Sequence, residues 1–174
     1  MRVGAKAEIK VAGLPANPRL ANFSWSPDQT KMAFTQTVPT GVELWILDIA
    51  AASCKKLSDA RLNANVGRPF SWFTDGQSLL VRFLPEDKKP LIDKSTAVPT
   101  GPRISVSDGQ KAQNRTYQDL LQDNADEFNF EQLVRSTIFK VGLDGTKTLW
   151  KETAMYEGTN FSPDGEYVMV TTLH

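Results

Sequence analysis

A short turn-and-strand phrase recurs three times in this chain. Residues 23–36 read FSWSPDQTKMAFTQ, residues 70–83 read FSWFTDGQSLLVRF, and residues 160–173 read NFSPDGEYVMVTTL. The acid of the phrase stands at Asp28, Asp75 and Asp164, in steps of 47 and then 89 residues, the second close to twice the first. A repeat of roughly 40–50 residues that holds several short strands is the signature of β-propeller blades. A blade cannot bury both of its faces alone, so the repeat demands a stacked series of sheets.

The first unit resolves into four strands. Residues 20–25 form the first, and Ser26-Pro27-Asp28-Gln29 turns the chain: Pro fixes φ, and Asp bonds nearby main-chain N–H groups. Residues 31–36, 42–49 and the short, polar 54–57 supply the others. In the third strand Val42, Leu44 and Ile46 alternate with Trp45, Leu47 and Ile49, so both faces are apolar. That pattern predicts a strand covered on both sides by neighbouring blades; a sandwich strand with one wet face would alternate apolar and polar.

The second unit opens the same way, with Thr74 in place of Pro, but its third and fourth strands are delayed to 136–143 and 146–150 around an Asp144-Gly145 turn. An insertion, residues 84–132, lies between. Pro85, Pro90, Pro99, Pro102, Gly101 and Gly109 predict an extended path, and Tyr117, Leu120 and Leu121 give 115–121 a helical spacing. Residues 123–127 are acidic, and Phe128 and Phe130 alternate with polar neighbours. The third unit supplies 158–161, a turn at 162–165, and 167–173; residues 7–11 resemble a lone fourth strand. The expected fold is all-β: an incomplete propeller of four-stranded antiparallel blades with one long, partly helical insertion. Residues 7–18 are the remnant of a preceding blade, 19–60 a blade, 68–152 a blade with the insertion 84–132, and 156–174 the first half of a further blade. Closed rings take about four to eight blades, so this chain is expected not to close one, and to self-associate through open edges and apolar faces.

Twenty basic and twenty acidic residues cancel, which argues against nucleic acid, whose binding demands a basic surface. The most apolar stretch, residues 42–52, is broken by Glu43 and Asp48 and is far below the ~20 residues of a membrane span. The start MRVGAKAEIK lacks the apolar core of a secretory signal. The lone Cys54 rules out an intrachain disulfide and reads as a small core residue.

Candidate chemistry is sparse. A Ser-His-Asp site needs a histidine, and the only one is the terminal His174. No G-x-S-x-G elbow, glycine-rich phosphate loop or metal-ligand spacing occurs, so no catalytic, cofactor-binding or metal residue is assigned. Asp28, Asp75 and Asp164 read as turn residues rather than calcium ligands. Asp119, Asp123, Asp126 and Glu127 read as a solvated helix face rather than a functional rim. Trp25, Trp45, Trp72 and Trp150 are expected to pack between blades rather than stack on a ligand. Asn22, Asn114 and Asn160 open N-x-S/T triplets, two of them inside the repeat and therefore by-products of its turn.

The SPDG-type repeats resemble the WD40-like repeats of TolB and of the prolyl oligopeptidase family of serine peptidases. GVELWILDI (41–49), LNANVG (62–67), KKPLI (88–92), PTGP (99–102), QNRTYQDLL (113–121) and FSPDGEYVMVTTLH (161–174) together are similar to the N-terminal propeller of the glutamyl-endopeptidase-like, dipeptidyl aminopeptidase-like branch of that family. The resemblance implies a non-catalytic propeller that gates oligopeptide substrates. It implies a C-terminal α/β-hydrolase domain as partner, holding the Ser-Asp-His machinery, and a peptide as substrate. It also implies export, to a bacterial periplasm or the extracellular space. None of the family's catalytic positions falls in this chain, so the chain itself is expected to be inactive. The alternative is a TolB-like scaffold for protein–protein contact. A sugar-active propeller would need a pair of carboxylates about 5–9.5 Å apart, and no repeated acid supplies one.

Overall fold

The three repeated phrases become three equivalent turns in the computed structural model, which describes residues 8–95, 109, 121 and 123–173. Ahead of the first turn runs β1 (Leu20–Trp25); β2 (Lys31–Val38), β3 (Gly41–Asp48) and β4 (Ser53–Lys56) complete a four-stranded antiparallel meander in the order β1-β2-β3-β4. A second sheet contains β5 (Phe70–Trp72), β6 (Ser78–Phe83), β7 (Arg135–Gly142), β8 (Lys147–Phe161) and β9 (Val168–Thr172), in that order. These are antiparallel blades of an incomplete propeller. The chain divides into two compact bodies, one running to Lys88 and resuming at Leu133, the other Lys89–Gln132.

In each turn a main-chain N–H closes back on the residue three earlier: Gln29 on Ser26, Gly76 on Phe73, Gly165 on Ser162. The closing residue is left-handed every time, at φ 58°, 63° and 74°. Asp28 accepts from the Ser26 hydroxyl at 2.6 Å and from the Thr30 amide at 3.1 Å; Asp164 accepts from the Ser162 hydroxyl at 2.5 Å and the Glu166 amide at 3.1 Å. The middle turn has Phe73 where the others have Ser. Its acid, Asp75, takes a hydroxyl from Ser78 instead, at 3.3 Å, and the Phe73 ring packs edge-on against Phe161 of the next blade at 5.0 Å. The carboxylates therefore serve as turn acceptors.

These bonds make the turns sensitive to acid. The Ser26 hydroxyl, then the Thr30 amide and hydroxyl, lower the Asp28 pKa from its ordinary value to about 2. Asp164, bonded chiefly by Ser162, and Asp144, bonded chiefly by Thr146, are lowered too. A carboxylate depressed by folding adds stability above its unfolded pKa of about 3.9, and that stability is lost as pH falls through the folded value. Urea midpoints are expected to be level from neutral pH down to about pH 5 and to fall progressively from about pH 4 towards pH 2. An unchanged midpoint across that window would contradict the turn account.

The core lies between sheets. One cluster joins Ala33, Leu44 and Ile46 of the first sheet to Phe70, Trp72, Leu79, Val81, Phe83 and Val141 of the second. Another, within the second sheet, joins Leu80, Ile138 and Tyr156 to Phe161, Val168 and Val170, so that β8 and β9 pack back on β6 and β7. Period-2 geometry sends Leu79, Val81 and Phe83 one way and Leu80 the other, so β6 is buried at every position. The third strand behaves differently from its sequence pattern. Leu44 and Ile46 are buried as expected, but Trp45, Leu47 and Ile49 are only partly so. No sheet among the described residues covers that face.

Two strand expectations are corrected. The fourth strand of the second unit does not stop at Trp150: β8 is one 15-residue strand, pairing first with β7 and then with β9, with register shifts near Ile138 and Tyr156 where it bends between blades. Residues 8–11 do not form a lone strand; Ala12 makes a single parallel bridge to Ser53 at the outer edge of β4.

The second body carries most of a helix, α1 (Asn124–Val134), whose first turn holds Asp126 and Glu127, two of the acids read as a solvated helix face. Asp123 caps it, its carboxylate accepting from the Ala125 and Asp126 amides at 2.9 and 3.0 Å. Lys94 reaches Asp123 at 2.9 Å and Asp126 at 2.6 Å. Asn129 exchanges two hydrogen bonds with the backbone of Ile92, at 2.8 and 2.9 Å, as a strand neighbour would. The helix expected at 115–121 falls, Leu121 aside, outside the described residues.

Candidate functional site

The three strands that lead into the repeated turns lie side by side. β1, β5 and the end of β8 line one concavity of about 400 Å3, walled by Phe23, Trp25, Arg68, Phe70, Trp72 and Phe161 with the strand polar groups between them. Two devices build it. A bulge in β1 between Ala21 and Ser24 places Asn22 at φ 53°, its amide held by the Thr35 hydroxyl at 3.0 Å, and leaves Phe23 58% exposed. Trp72 donates its indole N–H to the Ser24 carbonyl at 3.1 Å, stitching the first inner strand to the second.

Arg82, the fifth residue of the six-residue β6, is a charged residue only 2% exposed. It donates from one guanidinium nitrogen to the Val66 carbonyl at 2.7 Å and from the other to the Tyr156 carbonyl. One blade's strand thus holds both the loop that enters it and the strand that leaves it. Burial pushes the Arg82 pKa down from its ordinary value. Asn63, also buried, donates to the Leu133 and Arg135 carbonyls and the Ser136 hydroxyl at 2.9–3.0 Å, fixing the point where the chain re-enters the blade.

The residues singled out in sequence are spread out. Trp72 packs between the two sheets and Trp150 against the second sheet's own cluster, whereas Trp25 and Trp45 lie on the other side of the first sheet. Cys54 is half-buried in β4 rather than in the core, and burial raises its thiol pKa. Asp123 and Asp126 sit at the N-terminus of α1. Asp119, Asn114 and His174 lie outside the described residues. The wall offers aromatic faces, main-chain groups and one exposed guanidinium. No group of three or more potential metal ligands occurs among the described residues, and no described helix is long and apolar enough to cross a membrane.

No model of a known protein family matches the chain. Among curated proteins it is similar to the probable chloroplastic glutamyl endopeptidase of Arabidopsis thaliana, 30% identical over 181 residues, covering 96% of this chain and 18% of that protein. The protein of the same name from Oryza sativa subsp. japonica is 29% identical, covering 96% and 19%. The chain spans about a fifth of the length of these relatives. Among solved structures, an uncomplexed Pyrococcus horikoshii acylaminoacyl peptidase shares the fold with a TM-score of 0.50 at 17% identity, over 89% of this chain and 21% of that one. The curated relatives are thus named as peptidases, and the chain shares its fold with part of a solved peptidase.

Proposed function

We propose that the chain is the gating propeller of an oligopeptide-cleaving serine peptidase, serving a C-terminal α/β-hydrolase domain that carries the acyl-transfer chemistry. The observation that carries this reading is the similarity to glutamyl endopeptidases over 96% of the chain. The inner-strand wall supports it physically. Exposed Phe23, Trp25 and Arg68 with the half-buried Phe161 offer stacking and charge contacts to an extended peptide, but no nucleophile–base pair. The body Lys89–Gln132 would rim the entrance or pack on the hydrolase domain, as long insertions in compact domains commonly do. The relatives are named chloroplastic; an exported site of action is the corresponding expectation here.

The test compares the whole gene product with this 174-residue chain on chromogenic glutamyl peptides. The whole protein should hydrolyse them and this chain alone should not. Phe23→Ala and Phe161→Ala in the whole protein should raise the rate on long peptides relative to short ones, leaving short-peptide kcat/KM unchanged. A whole protein without peptidase activity, or one whose length preference ignores both substitutions, would count against the gate.

A further inference from the structure

The concavity beside β1, β5 and the end of β8 carries a charge that the chain as a whole lacks. Twenty basic and twenty acidic residues cancel over the sequence. Arg68 is the one charged side chain that lines the concavity, and no carboxylate lines it. Arg68 is exposed, and no described residue bonds to its guanidinium. Its main chain is held on both sides. Before it, Gly67 stands at φ 67°, where a Cβ would lie 2.9 Å from the Glu157 carbonyl oxygen and 3.1 Å from a guanidinium nitrogen of Arg82, so only glycine fits. The same guanidinium binds the Val66 carbonyl at 2.7 Å. After it, Pro69 is fully buried, and its carbonyl accepts from the Arg82 amide at 2.9 Å. A residue that precedes proline is itself confined to extended backbone. Arg82 also adds a second positive charge beside residues 66–68. It is buried and bonded to carbonyls, with no carboxylate partner among the described residues, so solvent ions screen it little.

We propose that this wall selects peptides that carry a carboxylate, which Arg68 binds through its planar fork of donors. An acidic side chain and the free end of a peptide present the same chemistry to it. The contact selects and does not cleave, because the wall holds no nucleophile–base pair. In a propeller the sheets surround a central channel. The three strands lie side by side where that channel would run, so further blades would extend the wall rather than cover it. The inference rests on the wall being the peptide-contacting surface of the proposed function, and it adds which peptides the wall prefers.

Tryptophan fluorescence reads the binding, because Trp25 and Trp72 line the same wall. The 174-residue chain is titrated with three alanine-based peptides of equal length. One is capped at both ends and has a central glutamate, the second has glutamine there, and the third is the glutamine peptide with a free C-terminal carboxylate. The glutamate peptide, the free-ended peptide or both should bind about three- to tenfold more tightly than the capped glutamine peptide. The first preference identifies a side chain as the source of the carboxylate, the second a chain end. The preference should shrink at high salt, vanish in Arg68→Gln and survive in part in Arg68→Lys. Both variants should keep the parent's urea midpoint, since Arg68 is exposed and unbonded among the described residues. Equal binding of all three peptides, binding of none, or a preference that persists in Arg68→Gln would each overturn the proposal, and none of these results bears on whether the whole protein is a peptidase. A whole protein that cleaves no peptide would count against the proposed catalytic partner and leave the binding preference standing.

Discussion

Leu79→Ala is expected to lower stability by about 2–5 kcal/mol, the range for large-to-small changes at fully buried sites. Leu79 is fully buried at the junction of the two sheets, among Leu44, Ile46 and Val141. Neither sheet can close over the vacancy without tilting against the other, so little of the cavity relaxes. Leu47→Ala is the matched control. Leu47 has the same chemistry and strand setting but lies partly exposed on the uncovered side of the first sheet. It should lose less than about 1 kcal/mol. Urea denaturation followed by tryptophan fluorescence reads both. Equal losses would mean that the two faces of the first sheet are equally covered, contrary to the stacking described above.

Arg82→Met is expected to cost about 2–4 kcal/mol, because it leaves the Val66 and Tyr156 carbonyls without their charged donor in a buried place. Methionine fills much of the volume, so the loss reports on hydrogen bonding more than on a cavity. The effect should concentrate where the guanidinium acts. Amide exchange should accelerate around residues 66–67 and 155–157 and change little in β2 and β3. The opposite result, a variant as stable as the parent or more so, is what replacement of a costly buried charge by an apolar group can give. It would make Arg82 a burden on the fold rather than its clamp.

The turns were legible in the sequence because their chemistry is local. Proline, aspartate and a residue tolerant of positive φ act within four positions, and the three copies reinforce one another. The apolar character of the third strand was legible too, but not which face is covered. That depends on sheets hundreds of atoms away in the chain, and periodicity carries no such information. Arg82 was invisible because a charge in a strand reads as solvent-facing; its carbonyl partners at 66 and 156 have no side-chain signature. Asn63 was hidden for the same reason, its partners being mostly main-chain groups at 133–136. The α1 helix did leave a signal that spacing of apolar residues misses: Asp123 as cap, with Asp126 and Glu127 in the first turn. The continuity of β8 was not legible because the expected strands stopped at 150 and began again at 158; a register shift lies between Tyr156 and Gly158.

Native-state hydrogen exchange tests the central claim most directly, since that claim is a stack of blades in which β6 is buried at every position. Amides of residues 79–83 should be the slowest in the chain, with those of β1 and β9 at the two ends of the series exchanging well before them. Equal protection in β1, β6 and β9, as one closed barrel or two-layer sandwich would give, would contradict it.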